Sequence, residues 1–217
     1  ELLTGPGVEP LLSAAVEHRG GSLLSWSLHH VDANPEQSTT ATYRARVRWP
    51  AGDRDEMLGI SARSGGLKPS DSNAEIFADG SREVAVWLYP WDPDLPGLPR
   101  ATVPEKLADL LTSSGVPGGR IVPGELKIDM IGYRPRRRAV VRIQTMNPPA
   151  VFYVKVLRPK LFAQVLHKHQ MLFQGGTPSP EVVLHTPDHL MFLRELPGKT
   201  LARAIFEPGD PCTAEQL

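Results

Sequence analysis

One cysteine, Cys212, stands in a chain of 217 residues, so an internal disulfide framework is excluded and the fold must rest on apolar packing. No run of about 18 apolar residues occurs that would span a bilayer as a helix. No basic segment followed by a short apolar stretch opens the chain, so no signal peptide is visible. Charge of one sign is also missing: Lys and Arg number 24, Asp and Glu 24. That balance removes the global basic field of a nucleic-acid or anionic-membrane binder. These absences lead us to expect a cytoplasmic protein with neither nucleic acid nor membrane as a partner. What is present suffices for a core. Hydrophobic residues make up 41%, which argues against disorder, and the length allows one large domain or two modest ones. The chain starts at Glu1 without Met and stops where a helix is expected to begin, so it is read as a fragment of a longer protein.

The first half opens with apolar positions Val8, Leu11, Leu12, Ala15 and Val16 at helical spacing, ended by Gly20 and Gly21. Strand texture follows at 26–32, 39–49, 56–62 and 83–89. The second of these alternates strictly: Tyr43, Ala45, Val47 and Trp49 share one face, while Arg44, Arg46 and Arg48 share the other. That is the pattern of a half-buried antiparallel strand. Residues 64–73 read as a polar loop. The proline-rich stretch 90–99 is expected to be irregular, because proline removes a donor and fixes φ. Its Asp92-Pro93-Asp94 is expected to form caps or surface turns rather than an acid–base pair. Thr102-Val103-Pro104-Glu105 has capping-box spacing ahead of Leu107, Leu110 and Leu111. Gly115 closes that helix, and the division between two units is placed near residue 118.

The second half reads as strands at 125–133, 139–145 and 151–157, a helix at 160–173, and strands at 181–185 and 190–195. The expected fold class is α+β. An antiparallel β-rich N-terminal cap, 1–118, precedes a five-stranded antiparallel sheet with one helix, 119–217. Lys155 stands out, since an ammonium in an apolar strand needs a partner. Alternation puts Phe152, Val154 and Val156 on one face and Tyr153, Lys155 and Leu157 on the other. A lysine snorkelling over a solvated face is the plain reading, and a phosphate ligand the sharper one.

The order of motifs around Lys155 resembles the N-terminal lobe of aminoglycoside phosphotransferase and choline kinase-like small-molecule kinases. Tyr133-Arg134-Pro135-Arg136-Arg137-Arg138-Ala139-Val140-Val141-Arg142 is similar to the family's first hairpin. Pro178-Ser179-Pro180-Glu181-Val182-Val183 is similar to its entry into the fourth strand. Leu190 to Leu201 is similar to the fifth strand, the hinge and the E-x-x-G-x-x-L opening of the next helix, where Thr200 is placed to cap. The resemblance covers about 97 of the 217 residues. It implies a kinase-like N-lobe that binds ATP with Mg2+. Lys155 would meet the α- and β-phosphates, Arg136, Arg137 and Arg138 would lie over the phosphates, and Glu195, Leu196, Pro197 and Gly198 would form the hinge to adenine. It also implies a small hydroxylated acceptor, and a catalytic H-x-D-x-x-x-x-N beyond Leu217, so that no catalytic residue falls in this chain.

Two departures keep a second reading open, that of a non-catalytic kinase-like binding or regulatory module. The turn 134–138 contains no glycine. The helix 160–173 contains no Asp or Glu to hold Lys155, only Gln164, His167, His169 and Gln170. No metal site is expected at His167-x-His169, whose spacing on a helix points the rings apart, or at His185-x-x-x-His189, which spans a turn with Pro187. A faint internal echo links Val86-Trp87-Leu88-Tyr89 with Met191-Phe192-Leu193-Arg194 and suggests that the cap is itself shaped like the lobe.

Overall fold

The computed structural model describes residues 3–34, 38–63, 66, 74–79 and 82–198. Cys212, the helix expected after Thr200 and nearly all of the loop expected at 64–73 lie outside them. Among the described residues the chain is α+β, with two five-stranded antiparallel sheets and few helices. Helix α1 (Glu9–Glu17) precedes strands β1 (Ser22–Asn34), β2 (Ser38–Trp49), β3 (Gly52–Arg63), β4 (Glu75–Asp79) and β5 (Arg82–Leu88). Helices α2 (Leu98–Thr102) and α3 (Pro104–Ser114) follow. The second sheet is built from β6 (Leu126–Arg134), β7 (Arg138–Met146), β8 (Pro149–Leu157), β9 (Val182–His185) and β10 (Leu190–Arg194), with α4 (Pro159–Gln174) between β8 and β9. No helix among the described residues is long and apolar enough to cross a membrane.

The two sheets share one strand order. The first runs β1-β2-β3-β5-β4 and the second β6-β7-β8-β10-β9. In each, three strands form a meander, the fifth pairs with the third, and the fourth lies at the edge. The sequence echo between 86–89 and 191–194 falls largely on β5 and β10, the corresponding strands of the two sheets.

Each sheet buries one face, as alternation in its central strands dictates. In β2, Tyr43, Ala45 and Val47 are buried while Arg44, Arg46 and Arg48 are exposed. The buried set packs with Leu58, Ile60 and Val86 under Leu12, Ala15 and Val16 of α1. In the second sheet Val141, Ile143, Phe152, Val154 and Phe192 pack under Leu98, Leu107 and Leu111 of α2 and α3. The change of core thus falls between Leu88 and Leu95, ahead of the division expected at 118. Two local expectations are corrected. Residues 98–102 form a short helix. The expected capping box is absent, because Val103 is the N-cap of α3 and the Thr102 hydroxyl donates back to the Leu98 carbonyl at 2.7 Å.

Asp92 and Asp94 do not lie in surface turns; both are buried. Asp92 Oδ2 accepts from the Tyr133 hydroxyl at 2.8 Å and the Arg136 backbone N–H at 2.7 Å, and its Oδ1 accepts from the Asp94 N–H at 2.9 Å. Burial pushes the Asp92 carboxyl above the usual carboxylate range, and these donors oppose the push. Asp94 holds the Arg63 guanidinium at 2.9 Å and that of Arg136 at 3.5 Å. Arg136 lies over the indole of Trp87, 4.7 Å from the ring centroid. The linker 90–99 therefore ties the β6–β7 turn to the first sheet.

Trp87 fits because Gly59, its partner across β3 and β5, has no side chain. A methyl group on Gly59 would overlap the indole ring. Gly59→Ala is expected to cost about 1–3 kcal/mol through overpacking. Thermal denaturation should show a midpoint several degrees lower; an unchanged midpoint would mean that Trp87 can move aside freely.

Candidate functional site

Alternation in β8 sends Phe152, Val154 and Val156 into the main core and leaves Tyr153, Lys155 and Leu157 on the opposite face. On that face Lys155 is flanked by Val140 of β7 and Met191 of β10. Helix α4 covers part of it, anchored by Phe162, which packs with Leu157, Met191 and Leu193. The Phe162 ring also meets the imidazoles of His185 and His189, at centroid separations of 6.3 Å and 5.2 Å.

The phase of α4 selects one of the four neutral candidates. Lys155 Nζ lies 2.9 Å from His169 Nε2. An ammonium only donates, so Nε2 accepts and the ring proton sits on Nδ1. That Nδ1 is buried and has no hydrogen-bond partner. Burial, and then the nearby Arg138 guanidinium, lower the Lys155 pKa. Burial, and then Lys155, lower that of His169. The pair is thus a half-buried ammonium resting on a neutral imidazole. An imidazole satisfies one N–H but supplies no negative charge, so the site retains a need for an anion.

The arginines of the β6–β7 turn separate into different roles. Arg136 is 4% exposed and has φ 59°, held there by Asp92 and packed toward Trp87. Arg137 reaches Asp32 of β1 at 3.0 Å. These two were expected over the phosphates beside Arg138; the structure turns them toward the first sheet, where the carboxylates of the linker and of β1 pair with them. Arg138 alternates with buried Ala139 and remains exposed on the Lys155 face. Arg142, two positions further in the same alternation beyond Val140, lies opposite Tyr153 and bonds Glu195 Oε1 at 3.4 Å through both Nε and Nη2.

The expected hinge leaves the sheet directly after this contact. The Glu195 N–H still donates to the Val151 carbonyl at 3.2 Å, while Leu196, Pro197 and Gly198 are exposed. Gly198 has φ 117°, a conformation that side chains rarely adopt. The face therefore carries a cationic strip, Arg138 and Lys155, at the turn end of the strands. At the other end lies the exposed segment 196–198.

A cavity of about 440 Å³ opens elsewhere, between the two sheets, and is lined by charged side chains that include Arg63 and Arg158. Sequence reasoning missed it, along with the Asp92 network and the Arg142–Glu195 pair. All of these join residues from distant strands, and none has a local pattern.

No protein-family model matches the chain, and no significant match was found among curated proteins or solved structures.

The His169 shift has a stability consequence of definite sign. Its folded pKa lies below the ordinary value of about 6.5, so the unfolded chain binds more protons as the medium acidifies. The associated stability is present above about pH 6.5 and is lost as pH falls toward the folded pKa. His169→Gln keeps an acceptor for Lys155 and has no proton to gain. Its thermal midpoint should fall less than that of the wild type between about pH 7.5 and pH 5. Identical slopes would show that His169 contributes none of the acid sensitivity.

Proposed function

We propose that the chain contains the nucleotide-binding lobe of an ATP-dependent phosphotransferase that acts on a small hydroxylated molecule, with the catalytic residues lying outside it. The observation that carries the reading is Lys155. It is a half-buried lysine on the third strand of a five-stranded antiparallel sheet, and its Nζ meets the helix that follows that strand. Supporting it, the exposed segment at 195–198 lies beside Val151, four residues along β8 from Lys155. At roughly 3.3 Å per residue that separation is about 13 Å, a reach that suits a nucleotide with its base edge at the hinge and its phosphates at the lysine.

In this reading Lys155 and Arg138 pair with the phosphates, and the backbone of 196–198 meets the adenine edge. Arg136 and Arg137 fix the turn from behind. Magnesium would arrive with ATP. Glu195, the carboxylate nearest the hinge, is engaged by Arg142, so the metal ligands are expected outside the described residues. Positioning and charge neutralisation dominate phosphoryl transfer, and this lobe supplies part of both. The second reading, a kinase-like module that binds or regulates without turnover, is favoured by one observation: a neutral imidazole stands where a carboxylate would hold the lysine.

Lys155→Ala removes the charge-assisted bonds to the phosphates, each worth roughly 1.5–3 kcal/mol. In the full-length protein kcat/KM for ATP should fall by about one to two decades, with the thermal midpoint nearly unchanged. Unaltered ATP kinetics in a folded variant would take Lys155 out of the site. Failure of the unmodified full-length protein to bind MgATP at all would favour the non-catalytic reading.

A further inference from the structure

The cavity between the sheets is walled by six ionised side chains, Arg63, Arg136, Arg137 and Arg158 against Asp32 and Asp94. Four guanidinium groups against two carboxylates leave a formal surplus of two positive charges. Both carboxylates are already shared. Asp32 is held by Arg134 at 3.4 Å and Arg137 at 3.0 Å, and Asp94 by Arg63 at 2.9 Å and Arg136 at 3.5 Å. Neither has much capacity left for the remaining charge.

Two donors on this wall are buried without an acceptor, Arg63 Nη1 and Arg158 Nε. A buried N–H of a charged group is costly to leave unpaired. Arg158 is also the N-cap residue of the 16-residue helix α4, whose first turn has no acidic side chain and no side-chain cap. The positive end of the helix dipole therefore adds to the same wall. Ser38 and Thr40 bring hydroxyls to the lining.

We propose that this cavity is a binding site for a tetrahedral dianion, either inorganic phosphate or the phosphate end of a small phosphomonoester, bound between Arg63 and Arg158. Guanidinium forks match phosphate oxygens in geometry. One unpaired donor comes from β3 of the first sheet and the other from the N-cap of α4, which follows β8 of the second, so the anion bridges the halves of the chain. The site is separate from the Lys155 strip, since neither Lys155 nor Arg138 lines the cavity, and it does not depend on the nucleotide reading.

The test uses purified residues 1–217 at constant ionic strength, with binding followed by calorimetry and by the thermal midpoint. The probes are inorganic phosphate, glucose 6-phosphate and glucose. Phosphate should bind saturably and raise the midpoint. Arg158→Gln should weaken binding about tenfold or more, and Arg158→Lys, which keeps the charge without the fork, should also weaken it. Lys155→Ala should leave it unchanged. Tighter binding of glucose 6-phosphate than of phosphate, with glucose silent, identifies a phosphomonoester as the source; the reverse order identifies the free ion. Three results would overturn the site: no saturable binding of either anion, equal affinity in the folded Arg158 variants, or loss of binding in Lys155→Ala.

Discussion

The Asp92 carboxylate is the constraint on which the remaining arrangement depends. A carboxylate buried to 3% exposure is tolerated only with strong donors, and it receives three, from Asp94, Tyr133 and Arg136. Those donors come from the linker itself, from the end of β6 and from the turn that follows it. One side chain thereby fixes the path of the linker and the conformation of the turn. It also holds Arg136 at a positive φ that costs of order 1–3 kcal/mol when unsupported. With the turn held, the Arg136 side chain has one well-packed place to go, over Trp87 and toward Asp94. The joint between the sheets is therefore polar at its centre and aromatic at its roof.

That joint explains why a run of arginines does not act as a unit. In an isolated hairpin the four guanidinium groups would repel and spread into solvent. Here Arg134 and Arg137 go to Asp32, Arg136 goes to Asp94, and Arg138 is left on the other face of its own sheet. The separation follows from strand alternation and from the positions of two carboxylates more than 40 residues away in sequence. Only Arg138 remains to influence Lys155.

The two sheets use a single topology for different ends. In the first sheet, the face away from α1 carries Trp87 and receives the second sheet's turn. In the second, the face away from α2 and α3 is partly covered by α4 and displays Lys155. The repeated strand order gives equivalent faces different surroundings. The electrostatics differ accordingly. At the joint, carboxylates meet guanidinium groups that outnumber them, whereas Lys155 meets only a neutral imidazole.

Much of the secondary structure was legible from the chain itself. Alternation in 41–49 and 151–157 and the helical spacing in 8–19, 104–114 and 160–173 depend on which face is apolar, and a local pattern records that directly. The position of Lys155 on the less buried face followed from the same rule. Other features were decided only by tertiary structure. The edge strand β4 and the short helix α2 have too few residues to show a period. Asp92 and Asp94 look like turn residues, because nothing local reveals that Tyr133 and Arg136 will approach them. The choice of His169 among four polar residues depends on how α4 is rotated over the sheet, and that rotation is set by Phe162 packing against Leu157, Met191 and Leu193. Periodicity along one segment states which side is buried; it holds no information about which distant side chain will be waiting there, and partners of buried charges are of that second kind.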